Sequence, residues 1–190
     1  MHNDQKSEEK ILDGCLRRQP KSQRALVDKY SGYLFVTCKR YMNHVEVARD
    51  LVQDSLVKIF KNLNKFDQKK ASFKSWITTI TIRLCLSKLE KNRMTIVSIH
   101  DCFDSDVSVV DTGPLDNLHT TYLLDMISEL PDGYREVFNM YAIDGYAHAE
   151  IAEYLKITTD VSRARLVRAR KKLRIKIEKL NNEELWVKTT

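Results

Sequence analysis

Pro131-Asp132-Gly133-Tyr134-Arg135 opens a stretch that continues through Asp144-Gly145-Tyr146 and Glu150-Ile151-Ala152-Glu153-Tyr154-Leu155. It then runs from Thr158-Thr159-Asp160-Val161-Ser162-Arg163-Ala164-Arg165 into Arg168-Ala169-Arg170-Lys171-Lys172-Leu173. Ile151, Ala152 and Leu155, then Val161, Leu166, Ala169 and Leu173, recur at helical spacings on either side of a turn-sized gap. This is the pattern of a helix-turn-helix, whose second helix enters a DNA major groove.

The charge of the second helix agrees. Lys156 to Lys179 carries ten Lys or Arg against Asp160 and Glu178, a net +8, whereas the whole chain is only +6. Basic helical faces are common as solvated surface. Joined to the bihelical pattern, this one reads as a partner for a phosphate backbone, which rewards such a helix by counterion release.

With 190 residues, 43% apolar and 31% charged, the chain suits one middling globular domain or two small ones. Five Gly and three Pro leave room for few tight turns, so helices are expected throughout. Cys15, Cys38, Cys85 and Cys102 are scattered, with no Cys-x-x-Cys pair. They read as reduced thiols, and no zinc site or cofactor is expected. The polar start has no apolar h-region, and no run of about 18 apolar residues follows. A soluble, cytoplasmic protein is the expectation. No carboxylate pair, Ser-His-Asp set or Gly-rich phosphate loop is present, so no catalytic residue is assigned.

In chain order, a first helix is expected over Ser7 to Gln19, capped by Ser7 and ended by Pro20. A second opens at Ser22 or Gln23, and the pattern resumes after Gly32. Val45 to Leu63 gives the longest clean helix, with Leu51, Val52, Leu56 and Ile59 in its core stripe. Asp50, Gln53 and Asp54 share a polar face there, either solvated surface or a docking patch. Ile77 to Ile82 alternates like a β-branched strand, yet Phe73, Trp76, Ile77, Ile80 and Leu84 fit a 3.6 period. In an otherwise helical chain we read helix. Residues 96–118 hold five Asp, no Lys or Arg, and Gly113-Pro114. That composition marks an acidic linker between domains at 1–95 and 119–180, with a tail at 181–190. A further helix is expected from Thr120 or Thr121. His148 reads as a surface residue.

In the first half, Ala48-Arg49-Asp50-Leu51-Val52-Gln53-Asp54 precedes Phe60 and Phe73-Lys74-Ser75-Trp76-Ile77. In the second, Leu130-Pro131, Tyr134-Arg135-Glu136-Val137-Phe138, Gly145-Tyr146, Glu150-Ile151-Ala152 and Arg168 to Leu173 follow in order. Over about Leu26 to Leu173 the chain thus resembles the extracytoplasmic-function (ECF) sigma factors, promoter-specificity subunits of bacterial RNA polymerase. The resemblance implies an all-α fold of two small helical domains, one region 2-like and one region 4-like.

It also implies partners and roles. Asp50, Gln53 and Asp54 match positions that dock on core polymerase, facing clamp helices of the largest subunit; the flap of the second subunit is the other contact. Phe66, Lys69, Lys70, Phe73, Trp76, Arg83, Lys88 and Lys91 match the surface that meets −10 promoter DNA. The loop from Phe66 to Phe73 corresponds to one that captures a flipped base, with Phe73 and Trp76 equally readable as core anchors. Thr159, Ser162, Arg163, Arg165, Arg168 and Lys171 match the −35 surface, where Arg can read guanine bidentately. An anti-sigma factor or auxiliary recruiter is a candidate partner. The alternatives are a stand-alone helix-turn-helix regulator that binds an operator as a dimer, and a protein-only adaptor, which the basic helix disfavours.

The sequence also departs from the family. Lys156 stands where the turn usually has Gly, so either the turn forms without positive φ or Lys156 accepts it. Thr79, Ile82 and Glu90 occupy positions often held by Arg, and Ser87 replaces a frequent Asp. Trp76 to Arg93 carries only +3. Weak promoter opening without a recruiter is the corresponding expectation.

Overall fold

A computed structural model describes the backbone of residues 2–98 and 118–187, and the side chains of 7–92 and 122–179. The linker assigned to 96–118 falls largely outside the described residues, whereas the tail assigned to 181–190 begins inside a helix that continues to Val187. Every regular element among the described residues is helical, and the chain divides into two compact units, Met1–Phe103 and Asp104–Thr190.

The first unit comprises α1 (His2–Leu16), α2 (Pro20–Tyr41), α3 (Val45–Asn62), a 3₁₀ turn (Leu63–Lys65) and α4 (Phe73–Ser98). α1 runs through Ser7 and stops at Leu16, so Ser7 is interior rather than its cap. Arg18 adopts a left-handed φ of 57°, with Gln19 N–H bonded to Gly14 O at 2.9 Å and Arg18 N–H to Cys15 O at 3.0 Å. That pair is a Schellman closure. Pro20 therefore begins α2, at a position where its missing N–H costs nothing.

α2 does not pause at Gly32. Tyr30, Leu34, Cys38 and Tyr41 form one buried stripe through it, and α1, α3 and α4 all pack on this helix. Burial worth about 1.5–3 kcal/mol per large side chain outweighs roughly 1 kcal/mol for one interior Gly. α3 buries Val45, Ala48, Leu51, Val52, Ser55 and Ile59; at 18 residues it is shorter than α2, α4 and α8 (Thr159–Val187).

In α4 the helical reading prevails over strand. Phe73, Ile77, Thr81, Cys85 and Leu89 are buried at steps of four. The threonines that suggested a strand bond back into the helix: Thr78 to Lys74 O (2.7 Å), Thr79 to Ser75 O (3.1 Å) and Thr81 to Ile77 O (2.9 Å). Ser72 Oγ accepts Ser75 N–H at 3.2 Å and caps the start. Cys15, Cys38 and Cys85 are buried free thiols, and burial pushes the Cys15 thiol up.

The second unit comprises α5 (Leu118–Ser128), α6 (Asp132–Phe138), a π-helical turn (Asn139–Ile143), α7 (His148–Leu155) and α8. Ile127 and Leu130 pack on Ala169 and Leu173, flanked by Met126, Tyr134 and Phe138. Arg135 is only 2% exposed. Its guanidinium donates to Ser128 O and Leu130 O, each at 2.9 Å, and to Asp132 Oδ1 at 2.5 Å. A side chain of α6 thereby satisfies the last carbonyl of α5 and that of Leu130 just beyond it.

Lys156 takes the positive φ that the sequence reading left open, at φ 54° and ψ 46°. Ile157 N–H bonds to Ala152 O at 3.0 Å, closing α7 as Arg18 closes α1. A non-glycine residue there costs about 1 kcal/mol.

Candidate nucleic-acid interface

α8 begins where Thr158 Oγ1 accepts Val161 N–H at 3.2 Å. Its buried stripe is Ser162, Leu166, Ala169 and Leu173, not one that starts at Val161, which is exposed. Around the opposite side stand Arg163, Arg168, Arg170, Lys171, Lys172 and Arg174, all exposed, with Thr159 half-buried near the start. Arg163 pairs with Asp160 at 2.9 Å in full solvent. Such a pair is worth at most about 1 kcal/mol, so a phosphate or base could replace Asp160 as its partner.

Of the residues assigned to this surface, one is buried away from it and one is partly engaged within the fold. Ser162 is wholly buried, and its hydroxyl is bonded to His148 Nδ1 at 2.9 Å. It faces α7 because it falls on the packing stripe, one residue past the Val161 that its apolar side chain suggested. Arg165 is half-buried, with its guanidinium over Gly133; a Cβ at Gly133 would lie 3.0 Å from Arg165 Cζ. Gly133 thus permits a close approach between α6 and α8, and Arg165 braces that contact.

His148, read as plain surface, is half-buried. Its ring stacks on Tyr141 at 4.4 Å between centroids, and the Arg170 guanidinium lies 5.8 Å from the same Tyr141 ring. Desolvation holds the imidazole below its ordinary value, and the Arg163 and Arg170 charges add to this. Only the three-dimensional fold brings residues 141, 148, 162 and 170 together.

On α3, Asp50, Gln53 and Asp54 are all exposed, as the spacing indicates. Val57, 51% exposed, extends the same face by one turn. An apolar group of that exposure beside carboxylates suits a protein partner better than DNA.

The residues assigned to −10 DNA divide into a core and a rim. Phe73 is buried at 2% exposure. Its ring meets Tyr30 at 5.3 Å, Phe66 at 5.2 Å and Trp76 at 5.8 Å, and Phe66 meets Trp76 at 5.4 Å. Phe73 is therefore the floor of an aromatic cluster and not a stacking face, whereas Phe66 and Trp76 are half-open at its edge. Lys69, Lys70, Arg83, Lys88 and Lys91 are exposed. Of the positions noted as lacking Arg, Ile82 is buried in the core, Thr79 is half-buried and Glu90 is exposed. Tyr33 and Lys74 were not assigned; Lys74 Nζ sits 4.3 Å from the Tyr33 ring centre, and the Tyr33 hydroxyl lies 2.7 Å from Thr78 Oγ1. Among the described residues no group of His, Cys, Asp or Glu gathers as a metal site, and no helix is long and apolar enough to cross a membrane.

Comparison with known proteins gives this geometry its family. The family model for Sigma-70 region 2 matches residues 26–95, and that for Sigma-70, region 4 matches 120–173; together they span well over half of the chain. The ECF RNA polymerase sigma factor SigW of Bacillus subtilis is 26% identical over 171 residues, covering 82% of this chain and 88% of its own. The RNA polymerase sigma factor SigV of the same organism is 27% identical over 139 residues, covering 73% and 81%. Among solved structures, the sigma factor RpoE of Bartonella quintana, crystallised with the anti-sigma factor NepR, superposes with a TM-score of 0.58 at 19% identity, over 82% of this chain and 96% of that one. With both halves matched in order and relatives aligned along most of their length, the chain belongs to the ECF group of the sigma-70 family of RNA polymerase sigma factors.

Proposed function

We propose that this ECF sigma factor docks on core RNA polymerase through Asp50, Gln53 and Asp54, set against clamp helices of the largest subunit. Residues 119–180 engage the flap of the second subunit and the −35 element. In this reading Arg163, Arg168 and Lys171 meet −35 DNA, with Arg163 the base reader and Lys171 a phosphate contact. Phe66, Trp76, Lys69, Lys70, Arg83, Lys88 and Lys91 meet the −10 strand; a flipped base stacking on an aromatic edge offsets about 1–3 kcal/mol of lost stacking. Residues 96–118 act as an acidic tether between the two domains. The factor works in the cytoplasm, by binding rather than by catalysis, and an anti-sigma factor or recruiter is a further partner.

The observation that carries this reading is the division of α8. Its apolar stripe is spent on α5, α6 and α7, leaving Arg163, Arg168 and Lys171 outward. A stand-alone regulator would leave the region 2 match at 26–95 without a role. The test is co-purification with polymerase core. The Asp50→Lys/Gln53→Ala double variant should lose core binding while its helicity by circular dichroism stays unchanged. Undiminished core affinity in that variant would reject the docking face.

A further inference from the structure

We propose that His148 is a positioning residue for the recognition helix α8, and that its protonation is coupled to DNA binding, so that the protein takes up a proton as it closes on a phosphate backbone. This presupposes the DNA-binding reading above and adds a linked ion to it.

The juxtaposition is specific. Ser162 is fully buried on the packing stripe of α8, where a hydroxyl without a partner would be costly. His148 supplies that partner at 2.9 Å from the first turn of α7. Its ring is held flat on Tyr141, with an interplanar angle of 20°. One imidazole thus ties together α7, α8 and the π turn before them, and it fixes the stretch of α8 that begins with Arg163.

The charges around this ring are the ones that DNA would change. From α8 come Arg163 and Arg170, both of which disfavour the imidazolium, and Asp160, already paired with Arg163. On α7 the Glu150 carboxylate is bonded to Ala147 N–H at 2.8 Å, and Asp144 closes the π turn. In the free protein the half-buried ring is therefore neutral near pH 7. A phosphate that neutralises Arg163 or Arg170 removes the repulsion and adds negative charge nearby. The imidazole then binds a proton from solvent, becoming imidazolium, in which Nδ1 carries a hydrogen that Ser162 Oγ can accept. By linkage, DNA affinity rises as pH falls, by at most about tenfold per pH unit for one full proton.

Isothermal titration of the full chain into a mixed-sequence duplex a few helical turns long tests this. Runs at about pH 6.5, the ordinary histidine value, in two buffers of different ionisation enthalpy report the protons taken up. Wild type should take up a substantial fraction of one proton and bind about three- to tenfold tighter across the histidine range at constant salt. His148→Gln, whose amide can still serve Ser162, should bind with that uptake abolished. Uptake equal in wild type and His148→Gln overturns the coupling. His148→Phe keeps the stack but strands the Ser162 hydroxyl, so it should bind more weakly at every pH; wild-type affinity in that variant overturns the positioning role. Failure of the wild type to bind any duplex overturns the coupling and the DNA-binding reading together, an outcome distinct from binding without proton uptake.

Discussion

Gln68, in the loop before α4, donates a hydrogen bond to Glu9 of α1 at 3.1 Å, across 59 residues of sequence. Beside it, Glu8 accepts from the Tyr30 hydroxyl and pairs with Lys29 at 3.3 Å, and the Tyr30 ring lies edge-on to Phe73. α1 is thus joined both to the loop assigned to the flipped base and to the floor beneath that loop. The two attachments differ in strength. The Glu9–Gln68 bond is exposed, and a double-mutant cycle with alanine should give a coupling below about 1 kcal/mol. Phe73→Ala should cost about 3–5 kcal/mol in urea unfolding. A Phe73→Ala cost below that of Gln68→Ala would show that the aromatic cluster does not organise this end of the first unit.

Salt should report how α8 is used. With about three phosphates neutralised, log K for duplex DNA should fall with log salt at a slope of about −2.7. Lys171→Ala should lower affinity on every sequence and reduce that slope by roughly 0.9. Arg163→Ala should instead relax preference at particular bases, by about 1–3 kcal/mol of discrimination. Identical behaviour of the two variants on matched and mismatched sites would show that the division into reader and positioner is wrong.

The expected weakness in promoter opening now centres on one residue. Glu90 is exposed on α4, whereas Ile82 is part of the core. Glu90→Arg should raise open-complex formation on linear templates transcribed with purified core alone, since strand separation costs roughly 1.4 kcal/mol per step. Ile82→Arg should instead unfold the first unit, because it would bury an unpaired guanidinium. Efficient opening by the unmodified factor, with no gain from Glu90→Arg, would remove the idea that this face is short of charge.

Stability should also follow His148. Its folded-state value lies below the ordinary 6.5, so the unfolded chain takes up a proton first as the solution is acidified. The contribution of the neutral His148 to the stability of the second unit is full above about pH 6.5 and is lost as pH falls through the lower, folded value. His148→Gln should flatten that decline in thermal melts, which otherwise steepens below pH 6.5. This trend is opposite in sign to the acid-strengthened DNA affinity, so the two cannot be mistaken for each other.

Much of the second unit was legible because Leu166, Ala169 and Leu173 repeat at helical steps and charge fills the gaps between them. The α3 face was legible for the same reason. What escaped was settled by neighbours distant in sequence. Gly32 looked like a break, but the stripe from Tyr30 to Tyr41 packs through it. Val161 looked like the core residue, yet the register of α8 buries Ser162, a place made tolerable only by His148. Nor did the sequence show that the Arg165 guanidinium lies over Gly133. The threonines of α4 alternate like a strand, and it is their bonds to carbonyls four residues back that let them rest in a helix.

The guanidinium of Arg135 also sets an order in time. Within the end of α5, Glu129 and Leu130 N–H meet Asp125 O and Ile127 O, but the last carbonyl, Ser128 O, is met by a side chain that lies seven residues further on. During synthesis, α5 emerges with Ser128 O unmet, and that last bond forms only when α6 follows it out. The reverse holds for opening, since any fluctuation that lifts α6 uncovers the end of α5 as well. Amide protons at the end of α5 should therefore exchange together with those of α6, and a nascent chain halted short of Arg135 would carry an α5 frayed at its last turn.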